Sequence, residues 1–166
     1  MKYEPLVEGY AARRAEAARW RDMEKKHAWL CLDPGITTGW AVLDDEGSIM
    51  ATSVWGTGEL KTSLDLLIRQ AFTSAYTLDA VIEKMPNTGR MGLLGQKLEK
   101  VRREIMDIIE TTYEIPVTMV LPGTWKPSRV ARITKVPGRF MKTPLMTHQR
   151  DAIRMGRYVI DQMKVK

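Results

Sequence analysis

The stretch "AWLCLDPGITTGWAVLDDEGSIMATSVWG", residues 28–56, decides the fold that the sequence predicts. It begins with a continuous apolar run that ends at Asp33, which is typical of a central strand covered on both faces. Two further strand-like runs surround the turn "DDEG", and this pattern predicts a β-hairpin. A buried strand that ends on an aspartate before a glycine turn has three interpretations: an ordinary turn, a phosphate-binding loop, or an aspartate that is a metal ligand. The rest of the chain has to distinguish these three.

Helical and strand-like segments alternate along the remainder of the chain. Apolar spacing predicts helices at 60–76, 93–114 and 147–163 and strands at 78–83 and 115–123. Thr147 is placed to cap the last helix. Connections of helix length between short buried strands imply that the later strands pair in parallel. The order therefore predicts an α/β domain over residues 28–166, with a mixed sheet of about five strands and helices on both faces.

Length and composition narrow the class of protein. The 166 residues are enough for one domain with a real core, and the hydrophobic content of 44% is typical of a soluble globular protein. No apolar run is long enough to span a membrane. The single cysteine, Cys31, cannot form an internal disulfide or a metal-binding cluster, so we expect a reducing cytoplasm. Residues 1–27 are predicted to form a helical extension, and they lack the apolar core of a signal peptide.

The charge of the chain is unevenly distributed. The formal net charge is +6, which favours a polyanionic partner. Residues 123–166 contain eleven Lys and Arg against two Asp, a net charge of +9, whereas residues 28–122 contain eight basic and thirteen acidic residues, a net charge of −5. A basic final quarter is often only a solvated surface. A basic segment indicates a nucleic-acid partner when catalytic residues lie beside it.

Four residues from three parts of the chain are the candidate site. Two predicted strands end on carboxylates, Asp33 and Glu83, and parallel neighbours would bring both to one edge of the sheet. His148 and Asp151 share the apolar stripe of the last helix, in its first turn. An acid after a strand commonly just begins a loop, but charged groups on a core-facing stripe need partners. We therefore expect the four side chains to lie together.

Clustered carboxylates of this kind predict a metal site. Three carboxylates close together repel one another, and some would be forced to protonate. Divalent cations remove that repulsion, and carboxylate oxygens are the ligands that Mg²⁺ and Mn²⁺ prefer, with histidine better tolerated by Mn²⁺. Two such ions about 3.5–4 Å apart serve phosphodiester cleavage by activating water and stabilising the leaving oxygen. An acidic catalytic centre inside a basic surround is the pattern of a nuclease.

Four segments of the sequence resemble, in the same order, the motifs of the RuvC-type Holliday junction resolvases of the RNase H-like superfamily. The segments are "LDPGITTGWAVLD" (32–44), "AVIEKMP" (80–86), "LLGQKLEKVRREIMDII" (93–109) and "HQRDAIRMG" (148–156). The resemblance covers about residues 28–160, and its specificity lies in the combination and order of the motifs. It implies an RNase H-like fold, and a phage-type resolvase is one option within this family. It also implies that Asp33, Glu83, His148 and Asp151 are the metal ligands and catalytic residues.

The resemblance implies a crossover junction endodeoxyribonuclease. Such an enzyme resolves Holliday junctions by paired symmetric nicks, using two Mg²⁺ ions (with Mn²⁺ able to substitute), and leaves 5′-phosphate and 3′-hydroxyl ends. Because a four-way junction needs two symmetric cuts, we expect a homodimer. Lys126 matches a basic residue that the family uses near the scissile phosphate. The other predicted DNA phosphate contacts are Arg102, Arg103, Arg129, Arg132, Lys135, Arg139 and Lys142.

Alternatives remain open at this level. Family members often carry a junction-wedging aromatic three residues after the glutamate, where this chain has Pro86; Met85, Met91 and Phe140 are candidates to replace it. A broader nuclease for branched, forked or flap DNA or for RNA–DNA hybrids is therefore one alternative. A non-catalytic junction-binding protein is another. "DPGITTG" also resembles the phosphate loop of the actin and sugar-kinase superfamily, so a nucleotide-binding ATPase module is a third, although no second such loop is present.

Overall fold

The computed structural model describes residues 25–84, 92–128, 130 and 135–165. Lys26, which was predicted to lie near the end of the N-terminal helix, instead begins the first strand. Several predictions lie outside the described residues. They are residues 1–24 of the N-terminal helical extension, the wedge positions Met85, Pro86 and Met91, and the predicted DNA contacts Arg129 and Arg132.

A five-stranded mixed sheet forms the centre of the domain, as the sequence predicts. Its strands are β1 (Lys26–Asp33), β2 (Thr37–Leu43), β3 (Ile49–Gly56), β4 (Tyr76–Glu83) and β5 (Val117–Val120). The spatial order is β3-β2-β1-β4-β5. The hairpin strands β1, β2 and β3 pair antiparallel, whereas β4 pairs in parallel with both β1 and β5. The crossovers through helices are the reason for the parallel pairs.

Helices cover both faces of the sheet. They are α1 (Leu60–Thr73), α2 (Leu93–Met106), which continues as a π-helical segment (Asp107–Thr112), the single turn α3 (Pro122–Trp125), and α4 (Thr147–Lys164). The first two helices bury their apolar stripes in a core cluster with Leu30 and Leu32 of β1. Helix α4 packs on the opposite face, in a cluster with Cys31 and Leu43. Alternate residues of β1 therefore serve both layers, which explains its continuous apolar sequence.

The first turn of α4 is capped differently from the prediction. The N-cap is Met146, and its backbone N–H donates to the Gln149 side-chain oxygen at 2.9 Å. Thr147, the predicted cap, is already inside the helix. Gln149 is buried, and its amide also donates to the Thr52 hydroxyl at 3.3 Å. The start of α4 is thus tied to strand β3.

Helix α4 lies unusually close to the sheet at one glycine. A Cβ built on Gly156 would stand 2.3 Å from the Cys31 sulfur and 2.7 Å from a methyl carbon of Leu43. Both neighbours are fully buried, so they have little room to move. Gly156 therefore sets the depth at which α4 packs. No helix in the described ranges is long and apolar enough to cross a membrane.

A small second sheet precedes α4. Strands β6 (Arg139–Phe140) and β7 (Thr143–Pro144) form a short antiparallel hairpin, which is closed at its base by a Leu145 N–H to Gly138 C=O hydrogen bond of 2.9 Å. The sequence did not predict it, because proline and glycine interrupt any periodic pattern there. Leu145 and Phe140 anchor the hairpin against the α4 side of the core.

Candidate functional site

Two of the predicted site residues emerge side by side from the sheet. Strands β1 and β4 are parallel neighbours in register, with Leu32 opposite Ile82. Asp33 and Glu83 follow as the last residues of the two strands, at the same edge. The predicted parallel pairing is confirmed, and it places both carboxylates where open α/β sheets build their sites.

His148 reaches this edge from the first turn of α4. Its Nδ1 lies 2.8 Å from Asp33 Oδ2, across 115 residues of sequence. The approach depends on Gly39 of β2, because a Cβ there would stand 2.2 Å from the His148 carbonyl carbon and 2.4 Å from its oxygen. These are backbone atoms of the helix, which a rotamer change cannot move. Gly39 is therefore the residue that lets the start of α4 reach Asp33.

Lys126 joins the other two carboxylates. Its Nζ lies 3.4 Å from Glu83 Oε2 and 3.7 Å from Asp151 Oδ2. Trp125, which is 1% exposed, donates its indole N–H to Glu83 Oε2 at 2.9 Å. On the far side of Asp151, an Arg154 guanidinium nitrogen is 3.7 Å from Oδ1. Trp125, at the end of α3, thus holds Glu83 through its buried ring, and Lys126, the next residue, bridges Glu83 and Asp151 through its ammonium group.

The electrostatics of the site disfavour ionised carboxylates. Burial raises the pKa of Asp33 and the negative charge of Asp151 adds to this, while the hydrogen bond and charge of His148 partly oppose it. Burial also raises the pKa of Glu83, and the charge of Asp33 acts in the same direction, opposed by Lys126 and Trp125. Two acids that are each made weaker by burial and by like charge form a centre that attracts cations.

The four predicted residues and Lys126 line one open cleft. Its volume is about 520 Å³, and its walls include the glycine turn after Asp33 as well as Leu94 and Leu98 of α2. His148 is the most accessible of the four, with 47% of its side chain exposed against 10% for Asp33. The cleft is therefore open to solvent and lined by three carboxylates.

The donor set of the cleft suits a hard divalent cation. Three carboxylates and one imidazole are groups that Mg²⁺ and Mn²⁺ accept. Repulsion between carboxylates adds to burial in raising the pKa of Asp33 and Glu83, and a bound cation would relieve that repulsion. In their present positions, no three His, Cys, Asp or Glu side chains of the described ranges are arranged to hold a metal ion. The Lys126 ammonium lies between two of the carboxylates instead. The chemistry fits a metal ion, and side-chain movement is needed to converge on one.

The predicted DNA contacts occupy different surroundings. Lys126 lies in the cleft, while Lys135, Arg139 and Lys142 are exposed on the segment that leads to α4. Arg102 and Arg103 lie on α2 and both contact Glu99, at 2.6 Å and 3.1 Å. Bidentate pairing makes Arg102 the less available of the two for a phosphate.

Three residues of the site were not predicted from the sequence. Trp125 and Arg154 contact site carboxylates, and Gly39 admits the helix. The glycine at 39 had a usable signal, since a glycine within a strand indicates close backbone approach. Arg154 also had one, because it stands three residues after Asp151 on the predicted last helix, a spacing at which opposite charges meet. Trp125 had none, because its partner Glu83 is 42 residues away in sequence.

The sheet order, with an antiparallel hairpin beside a parallel pair and helices on both faces, defines an RNase H-like α/β fold of the RuvC type. Among solved structures, the chain is similar to Thermus thermophilus RuvC in complex with a Holliday junction substrate, with a TM-score of 0.62 and 14% identity. The match covers 83% of this chain and 96% of that one. A second structure of T. thermophilus RuvC gives a TM-score of 0.60 and 15% identity over the same shares.

No protein-family model and no curated protein sequence matches the chain. Identities of 14–15% establish a common fold and no more. The activity of this chain therefore has to be inferred from the residues of its own cleft.

Proposed function

We propose that this chain is a divalent-metal-dependent endonuclease that resolves four-way DNA junctions. The observation that carries the proposal is that one open cleft holds Glu83 and Asp151 on either side of Lys126 and His148 in contact with Asp33. The RuvC-type fold supports it, as does the excess of basic charge in residues 123–166. An acidic centre inside a cationic surround suits a polyanion that must be bound and then cut.

The proposed roles follow from what each side chain contacts. Asp33, Glu83 and Asp151, with His148, would hold two divalent ions, Mg²⁺ or Mn²⁺. When bound, such ions supply Lewis-acid activation of water and stabilisation of the leaving 3′ oxygen. The contact of His148 Nδ1 with Asp33 fixes the ring and leaves Nε2 to ligate an ion or to orient the attacking water. Trp125 keeps Glu83 directed into the cleft.

Lys126 has two roles in this proposal. Without metal, it partly neutralises Glu83 and Asp151. With DNA bound, its ammonium group on a flexible stem would turn to the scissile phosphate, whose oxygens it can contact as a point charge. The products would carry 5′-phosphate and 3′-hydroxyl ends, because water attacks the phosphorus and the 3′ oxygen leaves.

The proposed assembly is a two-fold homodimer. A four-way junction presents two equivalent strands, which a symmetric pair of clefts can cut together. Leu93 and Leu94 at the start of α2 are 80% and 56% exposed, and large exposed apolar side chains of this kind suit an interface. Sedimentation velocity tests this: Leu93→Glu should lower the sedimentation coefficient to that of a monomer, and an unchanged value would exclude this helix from the interface.

A cleavage assay tests the proposed function. Labelled four-way, forked, flap and linear duplex DNA are incubated with the protein in Mg²⁺, in Mn²⁺ or in chelator. Asp33→Asn is compared with Asp161→Asn, which removes an exposed carboxylate of α4 that lies outside the cleft. We expect paired symmetric nicks in the four-way junction that require metal and Asp33 but not Asp161.

The outcomes separate the alternatives. Equal cleavage by the Asp33→Asn variant would refute the proposal. Metal-dependent cleavage of flaps and forks as rapid as that of junctions would indicate the broader branched-DNA nuclease. Junction binding without cleavage in either metal would indicate a non-catalytic binding protein, and ATP binding without DNA cleavage would indicate the nucleotide-binding module.

A further inference from the structure

The β6–β7 hairpin presents an apolar side chain at its tip. Its two-residue turn consists of Met141 and Lys142, between the paired residues Phe140 and Thr143. Met141 is 83% exposed, the highest value among the large apolar side chains of the described ranges. Phe140 and Leu145, by contrast, pack into the core beneath α4. One end of the hairpin is therefore anchored, and the other holds a methionine in solvent.

The backbone of this turn is costly for its residues. Met141 and Lys142 both have positive φ, of 45° and 72°. Two-residue hairpin turns of type I′ have positive φ at both positions, which is why asparagine and glycine are usual there. Methionine and lysine tolerate this conformation poorly, and such local strain concentrates at functional sites. Folding alone gives no reason for a long apolar side chain at this point.

The surroundings of the tip are cationic. Between Glu114 and Asp151 the sequence contains seven Lys and Arg and no acidic residue. Arg139 and Lys142 flank the tip and are exposed. The base of the hairpin also lies against Arg150 of α4, because a Cβ on Gly138 would meet a guanidinium nitrogen of Arg150 at 3.7 Å. An apolar tip surrounded by cations is complementary to a nucleic acid, which has anionic phosphates outside and the apolar faces of stacked bases inside.

The tip is close to the candidate active site along the chain. Five residue steps separate Met141 from Met146, which lines the cleft beside His148. An extended chain advances at most about 3.3–3.6 Å per residue, so the two positions are within about 18 Å. That distance corresponds to about five base-pair steps of 3.4 Å. DNA seated in the cleft is therefore within reach of the hairpin.

We propose that the hairpin tip inserts Met141 against an unstacked base step at a DNA branch point, while Arg139 and Lys142 contact the flanking phosphates. Apolar side chains, methionine included, enter DNA between base steps that are partly unstacked. A branch point offers such a step at low cost, whereas continuous duplex does not. The hairpin would then supply selectivity for branched DNA. This inference rests on the proposed function, since it takes DNA to be the ligand of the cleft.

The decisive variant is Met141→Asn. Asparagine suits left-handed backbone, so the hairpin should be kept or strengthened while the apolar tip is lost. Binding is measured in chelator, so that no cleavage occurs, with four-way junction and linear duplex DNA. Junctions carrying 2-aminopurine at the branch also report unstacking by fluorescence. Met163→Asn, which removes another exposed methionine near the opposite end of α4, is the matched control.

We expect Met141→Asn to weaken junction binding on the order of tenfold, as for loss of a contact to an unstacked base, and to abolish the fluorescence rise. Duplex binding and the thermal unfolding midpoint should be retained, and Met163→Asn should resemble the parent chain. Equal junction affinity for Met141→Asn would overturn the inference, whatever the cleavage assay shows. Junction binding that depends on Met141 without any cleavage would uphold it and refute the nuclease. Binding to anionic lipid vesicles in place of DNA would overturn both.

Discussion

Replacing Gly39 with alanine tests whether the close approach of α4 to the sheet creates the candidate site. The added Cβ would stand 2.2 Å from the His148 carbonyl carbon. Reaching an ordinary contact of 3.4 Å requires the start of α4 to move by about 1.2 Å. A shift of that size along the His148–Asp33 direction would lengthen their 2.8 Å contact to about 4 Å, beyond hydrogen-bond range.

The magnitudes follow from this displacement. Overpacking against backbone that cannot rotate away typically costs about 1–3 kcal/mol of folding free energy. Misplacing a catalytic group by 1 Å lowers the rate by about 10²-fold. We therefore expect Gly39→Ala to be modestly less stable in urea unfolding and to lose about two orders of magnitude in metal-dependent junction cleavage. Far-ultraviolet circular dichroism should stay the same.

Gly58→Ala is the matched control, because a Cβ at Gly58 meets nothing within 4 Å. It should retain full cleavage and be equally stable or slightly more so. If Gly39→Ala cleaves within threefold of the parent chain while remaining folded, then the contact between α4 and β2 does not position His148 for catalysis. Loss of cleavage in both variants would show that glycine replacement near this edge acts through some other route.

Three other changes give separate tests. Because the pKa of Asp33 is raised by burial, the neutral carboxyl stabilises the fold below its unfolded pKa of about 3.9, and this is lost as pH rises through the folded value. Asp33→Asn should therefore gain stability over the parent chain as the pH is raised above about 4 in chelator; a difference independent of pH in urea unfolding would contradict this. Lys126→Gln should reduce the slope of log binding constant against log salt concentration by about one unit. It should also lower the free energy of unfolding without metal by at most about 1 kcal/mol. An unchanged slope in binding titrations would show that Lys126 does not contact a phosphate. Gly156→Ala should lower the free energy of unfolding by about 1–3 kcal/mol. Because the Cys31 sulfur is the atom nearest to the added Cβ, Cys31→Ala in the same chain should recover part of that loss. A double-mutant cycle with no coupling would show that the clash is relieved elsewhere.

Most of the strands and helices, and the way they are layered, could be predicted from the sequence. The unbroken apolar run of β1 predicted a central strand because a strand buried on both faces needs apolar residues at every position. The helical stripes of α1 and α4 predicted the layers for the same physical reason, since each must bury one face. The errors lie at a boundary and in the irregular segment. Thr147 was predicted to cap α4, but Met146 is the N-cap and the Gln149 side chain closes the turn. The β6–β7 hairpin was missed because strands of two residues are too short to show a periodic pattern.

What the sequence determined by itself is which residues are candidates for the site and the edge of the sheet at which they lie, because strand ends and helix faces follow from local periodicity. Asp33, Glu83, His148 and Asp151 all line the cleft, as that reasoning expected. Only the tertiary structure decided how they are held: by a glycine that admits a helix, a buried indole on Glu83 and an ammonium between two carboxylates. Those contacts join residues far apart in sequence. Whether they form depends on differences of a few tenths of an ångström in how helices and strands pack, and no pattern of residue types records such differences.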